Sequence, residues 1–249
     1  MPTYAVILPA AGRSTRYRDQ HYKKPFAPLA GRAVWLHSAE RFLNRPDVKQ
    51  VIVVVSPEDR EEFGRKFGAN LAILGVDVCL GGSERSDSIQ NALAKVRDDV
   101  DFVAVHDAAR PCIADKWIDQ VFAAAEASGA AILALPVSAT LKRGKAAGGG
   151  AQIVETIDRG GLWEAQTPQV FRRELLNKAY AARGGAAATD DAQLVEQLGT
   201  PVTLVEGSPM NLKITTKDDL RLAEQILKVL PKPAAKGGAH PFADDDMWR

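Results

Sequence analysis

The side chains best suited to chemistry are cations, and they cluster. Residues 10–25, AAGRSTRYRDQHYKKP, follow the apolar run Tyr4–Leu8 and hold three arginines, two lysines and one glycine, Gly12. This matches neither a dinucleotide fingerprint, with three spaced glycines, nor a P-loop ending in Gly-Lys-Ser/Thr. A triphosphate can be held without those glycines. Arg and Lys neutralise its roughly four charges, and the N–H groups of the small residues Ala10, Ala11 and Gly12 can approach its oxygens closely. Taken alone, the stretch reads equally well as a solvated basic loop.

Four further stretches carry compatible chemistry. Gly81-Gly-Ser-Glu-Arg-Ser-Asp-Ser88 offers backbone and hydroxyl contacts to a base or ribose, or else a plain turn with Ser83 capping the next helix. His106-Asp-Ala-Ala-Arg-Pro111 places Asp107 where it could meet ribose, substrate hydroxyls or Mg²⁺, with Arg110 as a phosphate clamp. The competing reading is a simple Asp107–Arg110 turn pair, with His106 a satisfied structural histidine. Thr156-Ile-Asp-Arg159 and Asn211-Leu-Lys213 each add a cation that would be ordinary surface charge in isolation. Together they suit a polyanionic substrate pair.

The elements around these stretches alternate. Val51–Val55 is a continuous β-branched run, read as a strand buried on both faces, and 76–80, 102–105 and 131–135 are similar. Helical patterns lie near 33–44, 57–67, 84–97 and 115–128, the last with Asp115 as N-cap. Strand–helix alternation predicts an α/β fold, a mainly parallel sheet flanked by helices, which binds ligands beyond the C-terminal ends of its strands. The pattern breaks at 138–165, where strand-like pieces 138–143 and 152–157 flank the glycine-rich turn 144–150. This predicts a protruding β-arm, about 138–160, of a kind that usually meets a partner. Order returns with a helix opened by Thr189-Asp-Asp, a strand at 202–206 and the capping box Thr216–Asp219. The expected division is one domain over 1–230 and a flexible tail over 231–249, whose Pro/Ala/Gly composition is that of a linker.

Bulk composition excludes several classes. Lys+Arg is 32 against Asp+Glu 31, so no nucleic-acid partner is expected. No apolar run is long enough to span a bilayer, and the N-terminal residues lack a signal-peptide pattern. Two cysteines, Cys79 and Cys112, without a CxxC motif read as buried thiols in a reducing, cytoplasmic compartment.

Read in order, the motifs resemble the 2-C-methyl-D-erythritol 4-phosphate cytidylyltransferases. The matching stretches are Pro9–Gly12, Gly81–Ser88, Val105–Cys112, Pro136–Thr140, Thr156–Arg159, Leu162-Trp163, Gln166–Gln169, Thr189–Ala192 and Asn211–Thr215, spanning about residues 4–229. The resemblance implies a Rossmann-like nucleotidyltransferase fold and a Mg²⁺-dependent reaction. CMP passes from CTP to methylerythritol phosphate, pyrophosphate leaves, and no covalent enzyme intermediate forms. It implies transition-state cations at Arg16 and Lys24, and cations positioning the attacking phosphate at Arg159 and Lys213. Nucleotide contacts are implied at Ala10, Ala11, Gly12, Gly82, Ser83 and Ser88, and substrate contacts at Asp107, Arg110, Thr140 and Thr167, with Asp107 also the candidate metal ligand. A homodimer is implied in which the arm brings Thr140 and Arg159 to the neighbouring site.

Two departures stand out. The family pattern has one lysine after the arginine, whereas Lys23 and Lys24 are adjacent here; counting forward from Arg16 selects Lys23, and counting back from His37-Ser38 selects Lys24. Lys24 is preferred because it directly precedes Pro25-Phe26. Met210 stands where the pattern has Asp. Alternatives are a ribitol 5-phosphate cytidylyltransferase, a non-catalytic nucleotide-binding domain, which would have no need of the four cations, and a nicotinamide-dependent oxidoreductase, which fails on the glycine fingerprint.

Overall fold

In the computed structural model, residues 1–12, 23–184 and 188–231 are described, excepting the side chain of Lys24. Arg16 and the tail from 232 lie outside the described residues, as does the Lys24 side chain. The chain begins with β1 (Tyr4–Pro9), the short hairpin β2 (Pro28–Leu29) and β3 (Arg32–Ala33), α1 (Val34–Leu43), β4 (Val48–Val55), α2 (Arg60–Leu74) and β5 (Asp77–Leu80). It continues through α3 (Arg85–Leu93), β6 (Phe102–Val105), α4 (Asp115–Ser128), β7 (Ala130–Pro136) and the pair β8 (Leu141–Ala147) and β9 (Gly150–Ile157). The last elements are β10 (Trp163–Arg172), α5 (Arg173–Ala182), α6 (Asp191–Glu196), β11 (Thr203–Glu206) and α7 (Lys217–Val229).

Seven strands form one sheet in the order β11-β7-β10-β6-β1-β4-β5, with only β10 antiparallel to its neighbours. The apolar runs are continuous because both faces are covered. Tyr4, Val6 and Leu8 point into a core shared with α1, α4 and α7, while Ile7 points into a second core shared with α3, α5 and α6. The order of strands reverses at β1: the chain moves outward through β4 and β5, then returns to place β6 on the other side of β1. The loops after β1 and β6 therefore diverge from a crevice.

Several boundaries differ from the sequence expectation. β5 is an edge strand, with Asp77 and Leu80 exposed, because nothing pairs beyond it. Asp115 is the first residue of α4, and Ala114 occupies the cap position. α2 runs on to Leu74 because Leu71 and Leu74 keep packing on the core. α3 stops at Leu93, after which the chain tightens into i→i−3 bonds, Lys95 N–H to Ala92 O at 2.9 Å and Val96 N–H to Leu93 O at 3.1 Å. The arm exists, but Gly144–Ala147 belong to its first strand. The reversal is made by Gly148 and Gly149, with φ of 49° and 87°, the left-handed pair that a tight hairpin turn needs.

Candidate functional site

A cavity of about 710 Å³ opens at the crevice beside β1. Its walls collect Ala10, Ala11 and Gly12 from the loop after β1, Gly81–Glu84 from the loop after β5, Arg85 and Ser88 from the start of α3, Asp107 and Ala109 from the loop after β6, and Lys213. The walls touch each other. A Cβ on Gly81 would lie 2.8 Å from both the Ala11 Cβ and the Ser88 Oγ, and one on Gly82 would lie 2.4 Å from the Asp87 Cβ. The glycines thus let the two loops close on one another, and Gly82 N–H donates to Ser88 Oγ at 3.1 Å. Ser83 does not cap α3. Its hydroxyl donates to Asp87 Oδ2 at 2.6 Å, and that oxygen also accepts the Glu84 N–H at 3.1 Å.

Asp107 is the electrostatic centre. Lys213 Nζ stands 2.8 Å and Arg110 Nε 3.3 Å from its Oδ2. Burial opposes ionisation, but the combined fields of Lys213, Arg85 and Arg110 outweigh it and hold the carboxyl well below the usual range. The turn pair and the site are therefore the same object. Arg110 is not on the cavity wall; its other arm donates to Asn211 O at 2.7 Å, so it acts as a strut behind Asp107.

The rear of Asp107 is braced by neutral groups. Its N–H donates to Thr167 Oγ1 at 3.0 Å, and Thr167 Oγ1 lies 3.2 Å from His106 Nδ1. His106 Nε2 lies 3.1 Å from Arg110 O, which can only accept, so Nε2 carries the proton and Nδ1 accepts from the Thr167 hydroxyl. Burial lowers the His106 pKa to about 4, keeping the ring neutral. Thr167 is thus buried support for Asp107. Gln166 Nε2 donates to Ser208 O at 3.0 Å, and its Oε1 accepts Asn211 Nδ2 at 3.1 Å, while Asn211 Nδ2 also donates to Thr167 O at 2.8 Å. These bonds pin the segment before Lys213 to β10. A Cβ on Gly207 would lie 2.5 Å from Gln166 Oε1, so a side chain at position 207 would collide with the brace.

Lys23 reaches the cavity wall, but its ammonium is committed, 2.7 Å from Asp59 Oδ2 and 3.9 Å from Glu58 Oε2. Thr140 and Arg159 sit at the base of the arm, both exposed and away from the cavity lining; Arg159 donates to Ser138 O. Arg85 lines the cavity, yet sequence reasoning misses it as a site residue, as it misses the buried partner Asp191 and the braces Gln166 and Asn211. Arg85 and Asp191 each stand inside a motif that resembles the family, which is the available signal.

The family model for 2-C-methyl-D-erythritol 4-phosphate cytidylyltransferase matches residues 4–229. The chain belongs to this cytidylyltransferase family. It is 44% identical over 234 residues to the Rhodopirellula baltica enzyme of that name, covering 90% of this chain and 94% of the other. A second cytidylyltransferase, from Endomicrobium trichonymphae, is also 44% identical, over 90% of this chain and 98% of its own. The crystal structure of the Thermus thermophilus cytidylyltransferase superposes with a TM-score of 0.72 at 33% identity, covering 92% of this chain and all of the other. The protein is a nucleotidyltransferase of isoprenoid biosynthesis, acting on CTP and methylerythritol phosphate, and the ribitol phosphate alternative is not favoured. No described helix is long and apolar enough to cross a membrane.

Proposed function

We propose that the cavity at the strand-order switch is where CTP and methylerythritol phosphate meet, with Ala10–Gly12 on the triphosphate, Gly82, Ser83 and Ser88 on the cytidine, and Lys213 delivering the attacking phosphate. The observation that carries this reading is the convergence of three strand-end loops and Lys213 on a single cavity. An oxygen of the alcohol's phosphate attacks the α-phosphorus of CTP, the α–β bridging bond breaks, and pyrophosphate departs with the bonding pair. Positioning and positive charge are what the protein contributes. Gly12 and Lys23 both border the cavity, and Arg16 lies between them in sequence while Lys24 follows directly, which supports Arg16 and Lys24 as the charge-stabilising pair. With Lys23 spent on Asp59, Lys24 is the better candidate for the α-phosphate.

Asp107 also suits Mg²⁺, which favours one or two carboxylates together with substrate phosphates. Bound there, the ion would supply charge neutralisation between phosphate oxygens, while Asp107 would hold it through an oxygen now facing Lys213. The arm supports a homodimer: Ile153 and Val154 are 68% and 61% exposed, and Thr140 and Arg159 lie outside the cavity lining. Each arm would then complete the partner's site. Free, buried Cys79 and Cys112 are compatible with the cytoplasm.

The test is turnover with CTP and either alcohol phosphate. Lys24→Met is expected to lower kcat by ~10² or more with the fold intact. Full activity in Lys24→Met together with loss in Lys23→Met would reverse the assignment, and turnover of ribitol phosphate alone would overturn the substrate.

A further inference from the structure

Arg85 takes no part in the proposed transfer, yet it is the cavity cation with the most elaborate support. It is the first residue of α3, three positions after Gly82, and it lines the cavity. One terminal nitrogen donates to Asp191 Oδ2 at 2.7 Å, and the Tyr180 hydroxyl donates to Asp191 Oδ1. Asp191 is fully buried and lies outside the cavity lining. Its own backbone is fixed: Gln169 Oε1 accepts the N–H groups of Asp191 and Ala192, both at 3.1 Å, and Gln169 Nε2 donates to Asp190 Oδ2 at 2.9 Å. The start of α6 is thereby bolted to β10.

The three cations of the described cavity wall differ in where their partners stand. Lys213 is held by Asp107, which is on the wall, and Lys23 chiefly by the partly buried Asp59 at 2.7 Å, off the lining, with Glu58 on the wall 3.9 Å away. Arg85 is held from behind, by a carboxylate that a ligand in the cavity does not touch. A guanidinium presents its donors as a rigid planar fork, so fixing one edge aims the other. The side chain is 29% exposed, and the residue lines the cavity. It shares the cavity wall with the Gly81-Gly82 pair and with Asp107. A buried carboxylate is costly to ionise and is often replaceable by apolar packing without loss of stability. Aiming Arg85 is a reason to keep one.

We propose that Arg85 is a nucleotide-binding residue whose open edge meets the ribose and α-phosphate oxygens of CTP, and that Asp191 and Tyr180 are positioning residues that aim it. This rests on the cavity being the CTP site. The experiment compares wild type, Arg85→Gln, Arg85→Lys, Asp191→Asn and Tyr180→Phe by CTP-dependent thermal protection and by steady-state kinetics in both substrates. Arg85→Gln should raise KM for CTP by ~10-fold or more while KM for methylerythritol phosphate moves less than ~2-fold. Arg85→Lys should recover part of the loss, because it restores charge without the fork. Asp191→Asn should shift KM for CTP in the same direction by a smaller factor. If that variant does not fold, Tyr180→Phe, which leaves the carboxylate in place, should still raise KM for CTP by ~2-fold or more. A folded Arg85→Gln with wild-type KM for CTP and wild-type protection would reduce Arg85 to a clamp between α3 and α6 and overturn the proposal alone. Wild type that CTP does not protect would overturn the cavity assignment and this proposal with it.

Discussion

The wall behind Asp107 and the β8–β9 arm are built on opposite plans. Asp107 is buried among groups that bond one another: Lys213 and Arg110 to its carboxylate, Thr167 to its backbone with His106 behind, Gln166 and Asn211 along the segment carrying Lys213. The arm is exposed along nearly its whole length, and its side-chain bonds run across its own two strands, as Arg143 to Glu155 and Lys142 to Thr156 at 2.6 Å. The wall is braced by its own chain, whereas the arm leaves Ile153 and Val154 exposed.

The largest effect that would test this contrast is on the wall. Lys213→Met should lower kcat/KM by ~10²–10³, since it removes the cation proposed to deliver the attacking phosphate; a loss below ~10-fold would take Lys213 out of the chemistry. The arm can be tested against the wall directly. On the proposed dimer, in which each arm completes the partner's site, Arg159→Met should be about as inactive as Lys213→Met, yet mixing the two and allowing subunits to exchange should restore about a quarter of wild-type activity, because half the dimers would be mixed and each would hold one intact site. No recovery would mean that the arm serves its own chain.

Smaller effects separate the regions by stability. His106 has a folded pKa of about 4 against 6.5 unfolded, so between those values the unfolded chain binds more protons and stability falls as pH falls. The neutral ring should cost the fold roughly 3 kcal/mol across that window, fully present as stabilisation above pH 6.5. Denaturant titrations of wild type and His106→Gln should differ by that slope; parallel curves would remove His106 from the brace. On the arm, Glu155→Gln breaks an exposed pair and should change stability by about 0.5 kcal/mol or less. A larger change would show the arm to be bound more tightly than its exposure indicates.

Legibility in the sequence follows the same division. The strands can be read because Val51–Val55 and Phe102–Val105 are buried on both faces, and a short, unbroken β-branched run suits little else. β5 is harder to read, because its composition resembles a central strand while its position at the sheet edge is set by the order of the other strands. Asp107 and Lys213 can be placed at strand ends, but their 2.8 Å approach joins residues more than a hundred positions apart, which no local pattern encodes. The same holds for Arg85 and Asp191. Gly144 falls on the wrong side of the turn boundary because composition alone does not say which pair in a glycine-rich run adopts positive φ.

The Lys213–Asp107 bridge has a consequence for how the site responds to its surroundings. An arriving phosphate does not find an idle ammonium; it must take one from a carboxylate already in contact. Entry is then an exchange of ionic partners, in which one short pair is given up as another forms. Discrimination among anions should then rest on whether a newcomer offers Lys213 a better geometry than Asp107 already does.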